Sequence, residues 1–253
     1  IAPFPMPTHT LSVIIPAFNE EGNIRAACTD VARLAEQFFS DYEILVFDDM
    51  SRDQTPKIVQ ELQKKNPHII LYRNSENKGL GYNYRAGVLS ARLEYTMLIP
   101  GDNEVTTESL EGIFSRIGSA DIIICYIDNP EVRPLWRQLL SKMFTVSVNL
   151  LFGLKVRYYN GPSVIRSDLA RQVVPETSGF AYMAMVLVQL LKAGCSYQVA
   201  PFSLRHRQYG KTKAFRPKNI ASVVKNVLLL FWKVIICHQV IKPVGELLPP
   251  PEV

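Results

Sequence analysis

Over the first half of the chain, short apolar runs alternate with longer series of apolar residues at helical spacing. Leu11–Ile15 has the length of a buried strand and stops at Pro16. After Ala17-Phe18-Asn19-Glu20-Glu21-Gly22, apolar or small residues recur at Ile24, Ala27, Cys28, Val31, Leu34, Ala35 and Phe38, one face of a helix. Ile44–Phe47 predicts a second strand, running into Asp48-Asp49-Met50-Ser51-Arg52-Asp53-Gln54. Thr55 and Pro56 suit a helix cap and a first helical residue, ahead of Ile58, Val59 and Leu62. Ile69–Tyr72 predicts a third strand, then Asn77-Lys78-Gly79-Leu80-Gly81 and a helix through Ala86 and Leu89. Met97, Leu98 and Ile99 close a fourth strand, after which the chain turns at Pro100-Gly101 into Asp102-Asn103-Glu104. Strand and helix alternate with a polar cluster at each strand's carboxyl end. That pattern predicts a doubly wound, mostly parallel α/β sheet with its site along one edge.

Composition narrows the class. The 253 residues suffice for one large domain, alone or with an appendage, and 47% hydrophobic with 20% charged residues excludes wholesale disorder. Cys28, Cys125, Cys195 and Cys237 are unpaired in spacing, which argues against a zinc site or disulfide framework and suits a reducing, cytoplasmic compartment. No basic stretch followed by an apolar core opens the chain, so no secretory signal is expected within it. Residues 1–10, with Pro3, Pro5 and Pro7, are expected to form an extended arm, and 243–253 a Pro-rich tail. Charge is divided unevenly. Residues 1–130 carry 11 Lys/Arg against 18 Asp/Glu, and residues 131–253 carry 17 against 5. An acidic half followed by a basic half suggests a cation site beside an anionic partner.

Two motif classes are excluded. Neither G-x-G-x-x-G after the first strand nor G-x-x-x-x-G-K-[ST] occurs, so dinucleotide and P-loop phosphate cradles are missing. Asp102 and Glu104, one residue apart at a strand's carboxyl end, can hold a hard divalent cation together with water and substrate phosphates. The same pair would equally serve as a solvated turn before a helix.

Taken together, Ile15-Pro16-Ala17-Phe18-Asn19-Glu20, Asp48-Asp49-Met50-Ser51-Arg52-Asp53-Gln54-Thr55, Asn77-Lys78-Gly79 and Gly101-Asp102-Asn103-Glu104 resemble family 2 glycosyltransferases of the GT-A fold. The branch is that of dolichyl-phosphate mannose synthase and polyprenyl-phosphate glycosyltransferases. Arg207-Gln208-Tyr209-Gly210-Lys211-Thr212-Lys213 is similar to that family's R-x-x-G-x-S-K, so the likeness covers roughly residues 11–218. It implies a GT-A (Rossmann-like) domain over 11–217, with Pro16, Ala17, Phe18 and Glu20 lining a nucleotide pocket and Glu20 accepting from ribose hydroxyls. It further implies that Asp49 reads the base edge beside Asp48, that Lys78, Gly79 and Arg85 serve the diphosphate, and that Asp102 with Glu104 holds Mg²⁺ or Mn²⁺. The chain departs from D-x-D-x-Q, having Pro100 for the first Asp and Glu104 for the Gln. Ile127 stands for an Arg after the fifth strand and Met185 for a Glu in a later helix.

The basic half supplies an acceptor side. Arg137 and Ser141, four apart on one helix face, can reach one phosphate, and the segment is similar to the family's acceptor-phosphate segment. Arg133 is expected to be a solvated charge. Arg207 and Lys213 sit in a basic loop with Arg205, Lys211 and Arg216, which the likeness implies closes over donor and acceptor. A phosphate monoester, with a second pKa of about 6, needs positioning but no general base, so an Arg-rich site poor in bases favours a lipid phosphate over a hydroxyl. Residues 218–242 form an amphipathic series with Trp232, Lys225 and Lys233, too interrupted to span and suited to a membrane interface. Leu135–Phe152 is apolar enough to join it. The expectation is a metal-dependent, inverting transferase moving sugar from a GDP- or UDP-linked donor to a polyprenyl or dolichyl phosphate, peripheral at the cytoplasmic membrane face. Transfer to a saccharide hydroxyl and a non-catalytic nucleotide-sugar binder are the alternatives. No nucleic-acid partner is expected, because aromatics are not interleaved with the basic residues.

Overall fold

A computed structural model of the chain describes residues 8–175, 177, 179, 181–205 and 217–238, with only the backbone described for 217–220. Most of the expected arm, the whole Pro-rich tail, Arg207 and Lys213 lie outside the described residues. The first half alternates as the hydrophobic pattern requires: β1 (Thr10–Ala17), α1 (Ile24–Phe38), β2 (Asp41–Asp48), α2 (Thr55–Lys65), β3 (Ile69–Arg73), α3 (Leu80–Ser90), β4 (Tyr95–Leu98), α4 (Thr107–Phe114) and β5 (Ile122–Ile127). The long helix α5 (Leu135–Phe152) follows, then β6 (Val164–Arg166), α6 (Ser167–Gln172), α7 (Tyr182–Lys192), β7 (Tyr197–Phe202) and α8 (Pro217–Phe231), which runs into a π-helical turn at Trp232–Ile236.

The seven strands form one sheet in the order β3-β2-β1-β4-β6-β5-β7. All pairings are parallel except those of β6, which lies antiparallel between β4 and β5. A three-residue strand is too short to show a period, which is why the sequence pattern does not reveal it. Alternation along β1 divides the core. Leu11, Val13, Ile15 and Ala17 pack with α1 and α4, while Ile14 faces the opposite layer with residues of α3, α5 and α7. Helix α3 approaches β1 so closely that a Cβ on Gly87 would stand 2.5 Å from the Ile14 side chain.

The start of α2 differs in detail from the expected cap. Gln54 is the cap residue, Thr55 is already helical, and Pro56 follows within the first turn. The reason is that the buried Thr55 hydroxyl accepts from the Glu20 N–H at 2.8 Å, tying α2 to the β1 loop rather than capping its own helix.

Candidate functional site

Four strand ends meet along one rim. Residues Pro16 and Ala17 end β1, and their carbonyls accept from the Gly101 and Asp49 N–H groups at 3.1 and 2.8 Å. Gly101 suits this close approach, since a Cβ would lie 3.1 Å from Ile24 Cδ1 and 3.2 Å from the Pro16 carbonyl oxygen and would push on both. That close approach delivers Asp102 beside the β1 end. Phe18 and Glu20 follow in the same loop, where the Glu20 carboxylate accepts from Asn23 Nδ2 at 2.7 Å. The adjoining turns hold non-glycine residues with positive φ at Asn19, Met50 and Asn103, a conformation that costs energy and recurs at functional sites.

Asp48 and Asp49 are both buried, which two adjacent carboxylates tolerate only when donors meet them. Asp48 accepts from the Ser51 N–H at 3.1 Å and pairs with Arg73 Nε at 3.3 Å. Asp49 accepts from the Lys78 N–H (2.8 Å), the Gly79 N–H (2.9 Å) and Asn74 Nδ2 (2.8 Å). It therefore holds the Asn77–Gly79 loop against the rim, with Gly79 at φ 87° supplying the bend into α3. Lys78 Nζ rests on Tyr82, 3.3 Å from its hydroxyl and 4.6 Å from its ring centroid. Arg85 lies half-buried farther along α3. Asp53 fastens the neighbouring turn. Burial would raise its carboxyl, but hydrogen bonds from Thr55 and Glu21 outweigh it and hold the group below the usual carboxylate range.

The acidic turn is tied to the segment after β7. Glu104 N–H donates to Asp102 Oδ1 at 3.3 Å, and the Glu104 carbonyl accepts from the Arg205 N–H at 2.7 Å. Arg205 Nη2 donates to Thr107 Oγ1 at 2.7 Å, and Nη1 stands 3.7 Å from Asp30 Oδ2. A cavity of about 180 Å³ opens where these elements meet, lined by Glu104, Arg133, Arg137 and Arg205 with Val132, Pro134 and Leu204. The expected carboxylate Glu104 and the expected acceptor residue Arg137 thus share one cavity. Ser141, one turn along α5, does not line it.

Two functional candidates went unassigned in the sequence. Arg133, expected to be solvated, is half-buried with its Nε enclosed. Arg205 is read from sequence only as one member of a basic loop. Ile127 is half-buried against the β1–α1 core layer, and Met185 is buried in α7 within the other, so both departures from the family pattern carry packing rather than charge.

Among the described residues, no three His, Cys, Asp or Glu side chains form a complete metal cage. The donors offered by Asp102 and Glu104 are hard oxygens on one short turn. That set fits Mg²⁺ or Mn²⁺, which take most ligands from diphosphate and water and only one or two from protein carboxylates.

Comparison with known proteins agrees with this architecture. The family model for glycosyl transferase family 2 matches residues 12–182. A dolichyl-phosphate beta-glucosyltransferase of Dictyostelium discoideum is 31% identical over 185 residues, 65% of this chain and 56% of that protein. A dolichol-phosphate mannosyltransferase of Pyrococcus furiosus is 27% identical over 235 residues, 88% of this chain and 64% of that protein. The chain spans less than two thirds of either relative. Among solved structures, glucosyl-3-phosphoglycerate synthase from Mycobacterium tuberculosis, crystallised with Mn²⁺, UDP-glucose and phosphoglyceric acid, gives a TM-score of 0.66 at 14% identity over 88% of this chain and 80% of that one. Mannosyl-3-phosphoglycerate synthase from Rubrobacter xylanophilus also gives 0.66 at 14% identity, over 94% and 77%. At such identities the likeness is one of fold, that of the GT-A glycosyltransferases.

Proposed function

The chain belongs to glycosyl transferase family 2, and from that membership we propose that it moves a sugar, with inversion, from a GDP- or UDP-linked donor to a polyprenyl or dolichyl phosphate. The observation that carries this reading is the shared cavity. Glu104, from the turn that suits a cation and diphosphate, and Arg137, suited to an anionic acceptor, line the same walls. Two relatives named for transfer to dolichyl or dolichol phosphate support the acceptor class.

In this scheme Pro16, Ala17, Phe18 and Glu20 cradle the nucleoside beside Asp48, while Asp49 holds the loop that brings Lys78 and Gly79 to the donor. Arg85 adds charge on the diphosphate side. An acceptor phosphate oxygen forms a bond to the anomeric carbon as the bond from that carbon to the diphosphate breaks. The acceptor is already ionised near neutral pH, so no proton must be removed and no general base is required. Asp102 and Glu104 would hold Mg²⁺ or Mn²⁺, which when bound neutralises charge on the departing nucleoside diphosphate. Arg137 and Ser141 orient the acceptor, with Arg207 and Lys213 assigned the same side.

The reading extends to the membrane. No described helix is long and apolar enough to cross a bilayer. Helices α5 and α8, with the π-helical turn that follows α8, nevertheless expose Leu135, Trp136, Leu139, Met143, Val224, Leu228 and Trp232. Such a face supports peripheral seating where a lipid phosphate is presented.

The test is transfer of labelled sugar from UDP- and GDP-linked donors, with Mn²⁺, into prenyl phosphate or saccharide acceptors. Solvent-extractable label is expected, and Asp102→Asn should lower it by about 100-fold or more. Label found only in the saccharide overturns the acceptor class, and full turnover by Asp102→Asn overturns the role of the acidic turn.

A further inference from the structure

We propose that Arg205 is the positioning residue of the acidic turn, setting how Asp102 and Glu104 meet a divalent cation; the assignment rests on the cation reading above. The turn is short and held from both ends. On one side the Gly101 N–H donates to the Pro16 carbonyl at 3.1 Å, which pins the turn to β1. On the other, the segment after β7 runs beside it as a clip. Val105 and Leu204 form an isolated antiparallel bridge, the Thr106 N–H donates to the Ser203 carbonyl at 3.2 Å, and the Ser203 N–H donates to Ser109 Oγ at 2.8 Å. Between these anchors lie only Asp102, Asn103 and Glu104, and Asn103 stands at φ 54°. A non-glycine residue keeps that conformation only where its surroundings over-determine it.

Arg205 supplies much of that determination. Its N–H donates to the Glu104 carbonyl at 2.7 Å, Nη1 reaches the Asn103 carbonyl at 3.5 Å, and Nη2 donates to Thr107 Oγ1 at 2.7 Å. One residue therefore meets two successive carbonyls of the turn and the first residue of α4 beyond it. A planar fork with diverging N–H groups makes that possible, and the single point of a lysine ammonium does not. The half-buried guanidinium also lies 3.7 Å from Asp30 Oδ2 on α1. Its charge is thus met within the protein, which suits a group that holds the turn rather than one that takes an anionic substrate. Partners placed behind metal ligands in this way orient them, and their loss typically weakens metal binding about 10–100-fold.

Charge and geometry predict opposite effects of removing Arg205. Its positive charge stands near the turn, so simple repulsion would make its removal tighten Mn²⁺ binding. Positioning predicts looser binding, and predicts it also for changes that open the fork's grip while keeping the charge.

Calorimetric titration of the full chain with UDP and with GDP, each with Mn²⁺ and with a chelator, tests the role. Mn²⁺ electron paramagnetic resonance reads the bound ion directly. Thr107→Val and Arg205→Lys leave the charge in place and break part of the grip. Thr107→Val should weaken Mn²⁺ binding about threefold and Arg205→Lys about tenfold, with nucleotide binding in chelator unchanged. In turnover the Mn²⁺ concentration for half-maximal rate should rise by the same factors, while kcat at saturating Mn²⁺ holds within about twofold. Arg205→Ala should weaken Mn²⁺ binding as well; if it tightens the ion while the other two variants are unmoved, repulsion replaces positioning and the role is overturned. Equal losses with and without Mn²⁺, or a lowered urea midpoint with Mn²⁺ affinity intact, would make Arg205 a residue of the fold alone and overturn it too. Asp102→Asn separates the two readings. If it abolishes Mn²⁺ binding while Arg205→Lys and Thr107→Val keep it intact, the acidic turn stands and the role of Arg205 falls. If the unaltered chain takes nucleotide but no Mn²⁺, the cation reading fails and Arg205 falls with it.

Discussion

At the scale of single residues, the site depends on buried carboxylates whose oxygens are already engaged by the fold. Asp49 accepts from two backbone N–H groups and one side-chain amide, and it does so while buried. Asp49→Asn would turn an amide NH₂ toward N–H donors and leave at least one of them unmet. The expected loss is about 2–3 kcal/mol of stability, read from the urea midpoint, with weaker nucleotide binding because the Lys78–Gly79 loop loses its anchor. Unchanged stability would mean that the loop is held by other contacts. Asp48, Asp49 and Asp102 were legible as candidates because each closely follows an apolar run, a local signal. Arg133 was not. The residue that accepts from its guanidinium, Tyr158, is 25 positions away, and the clamp in the loop before it joins Asn129 to Leu204, 75 positions apart. Nothing beside Arg133 in the chain announces either partner.

At the scale of elements, the first four strands and their helices were readable because apolar spacing is set by each segment's own buried face. The second half was less so, since β6 inserts antiparallel between strands that precede it, and side-chain contacts at the strand ends tie it to its neighbours. Asp121, just before β5, makes such contacts. Its carboxylate accepts from the Ser196 hydroxyl (2.6 Å) and N–H (2.9 Å), ahead of β7, and from Arg166 Nη1 (3.1 Å) at the end of β6. The Ser196 hydrogen bonds, with the Arg166 charge behind them, hold this carboxyl below the usual range. A depressed carboxyl gives stability that is present above its unfolded value, about 3.9, and is lost as pH falls through the lower folded value. Asp121→Asn should therefore cost about 1 kcal/mol near neutral pH, screened by solvent at this exposed position, and the difference should shrink below about pH 4. Urea titrations of both proteins at neutral and acid pH measure it; a gap that persists undiminished in acid would assign the effect to shape rather than charge.

At the scale of the whole molecule, polarity is segregated. The rim of strand ends gathers the carboxylates, while α5 and α8 expose apolar side chains and pack on each other beneath them, where the buried Phe152 meets the half-buried Phe231 edge to face at 6.0 Å. That surface contains both tryptophans of the chain, Trp136 at 52% and Trp232 at 60% exposure, with the exposed lysines Lys142 and Lys225 on the same helices. Lysines and tryptophans beside aliphatic side chains are the mixture expected where a helix lies in a lipid headgroup layer. Because no tryptophan lies elsewhere, intrinsic fluorescence reports on this face alone. Vesicles containing phosphatidylglycerol should shift the emission to the blue, and added salt should weaken the shift as the lysine attraction is screened. Each leucine withdrawn from water contributes about 1.5–3 kcal/mol, so Leu139→Asp with Leu228→Asp should reduce vesicle binding by about 100-fold or more. Both side chains are exposed, so nucleotide binding and the circular-dichroism spectrum should survive the double change. Emission unmoved by any vesicle, with sedimentation showing a dimer that the double variant abolishes, would assign the face to a second copy of the chain instead of a bilayer.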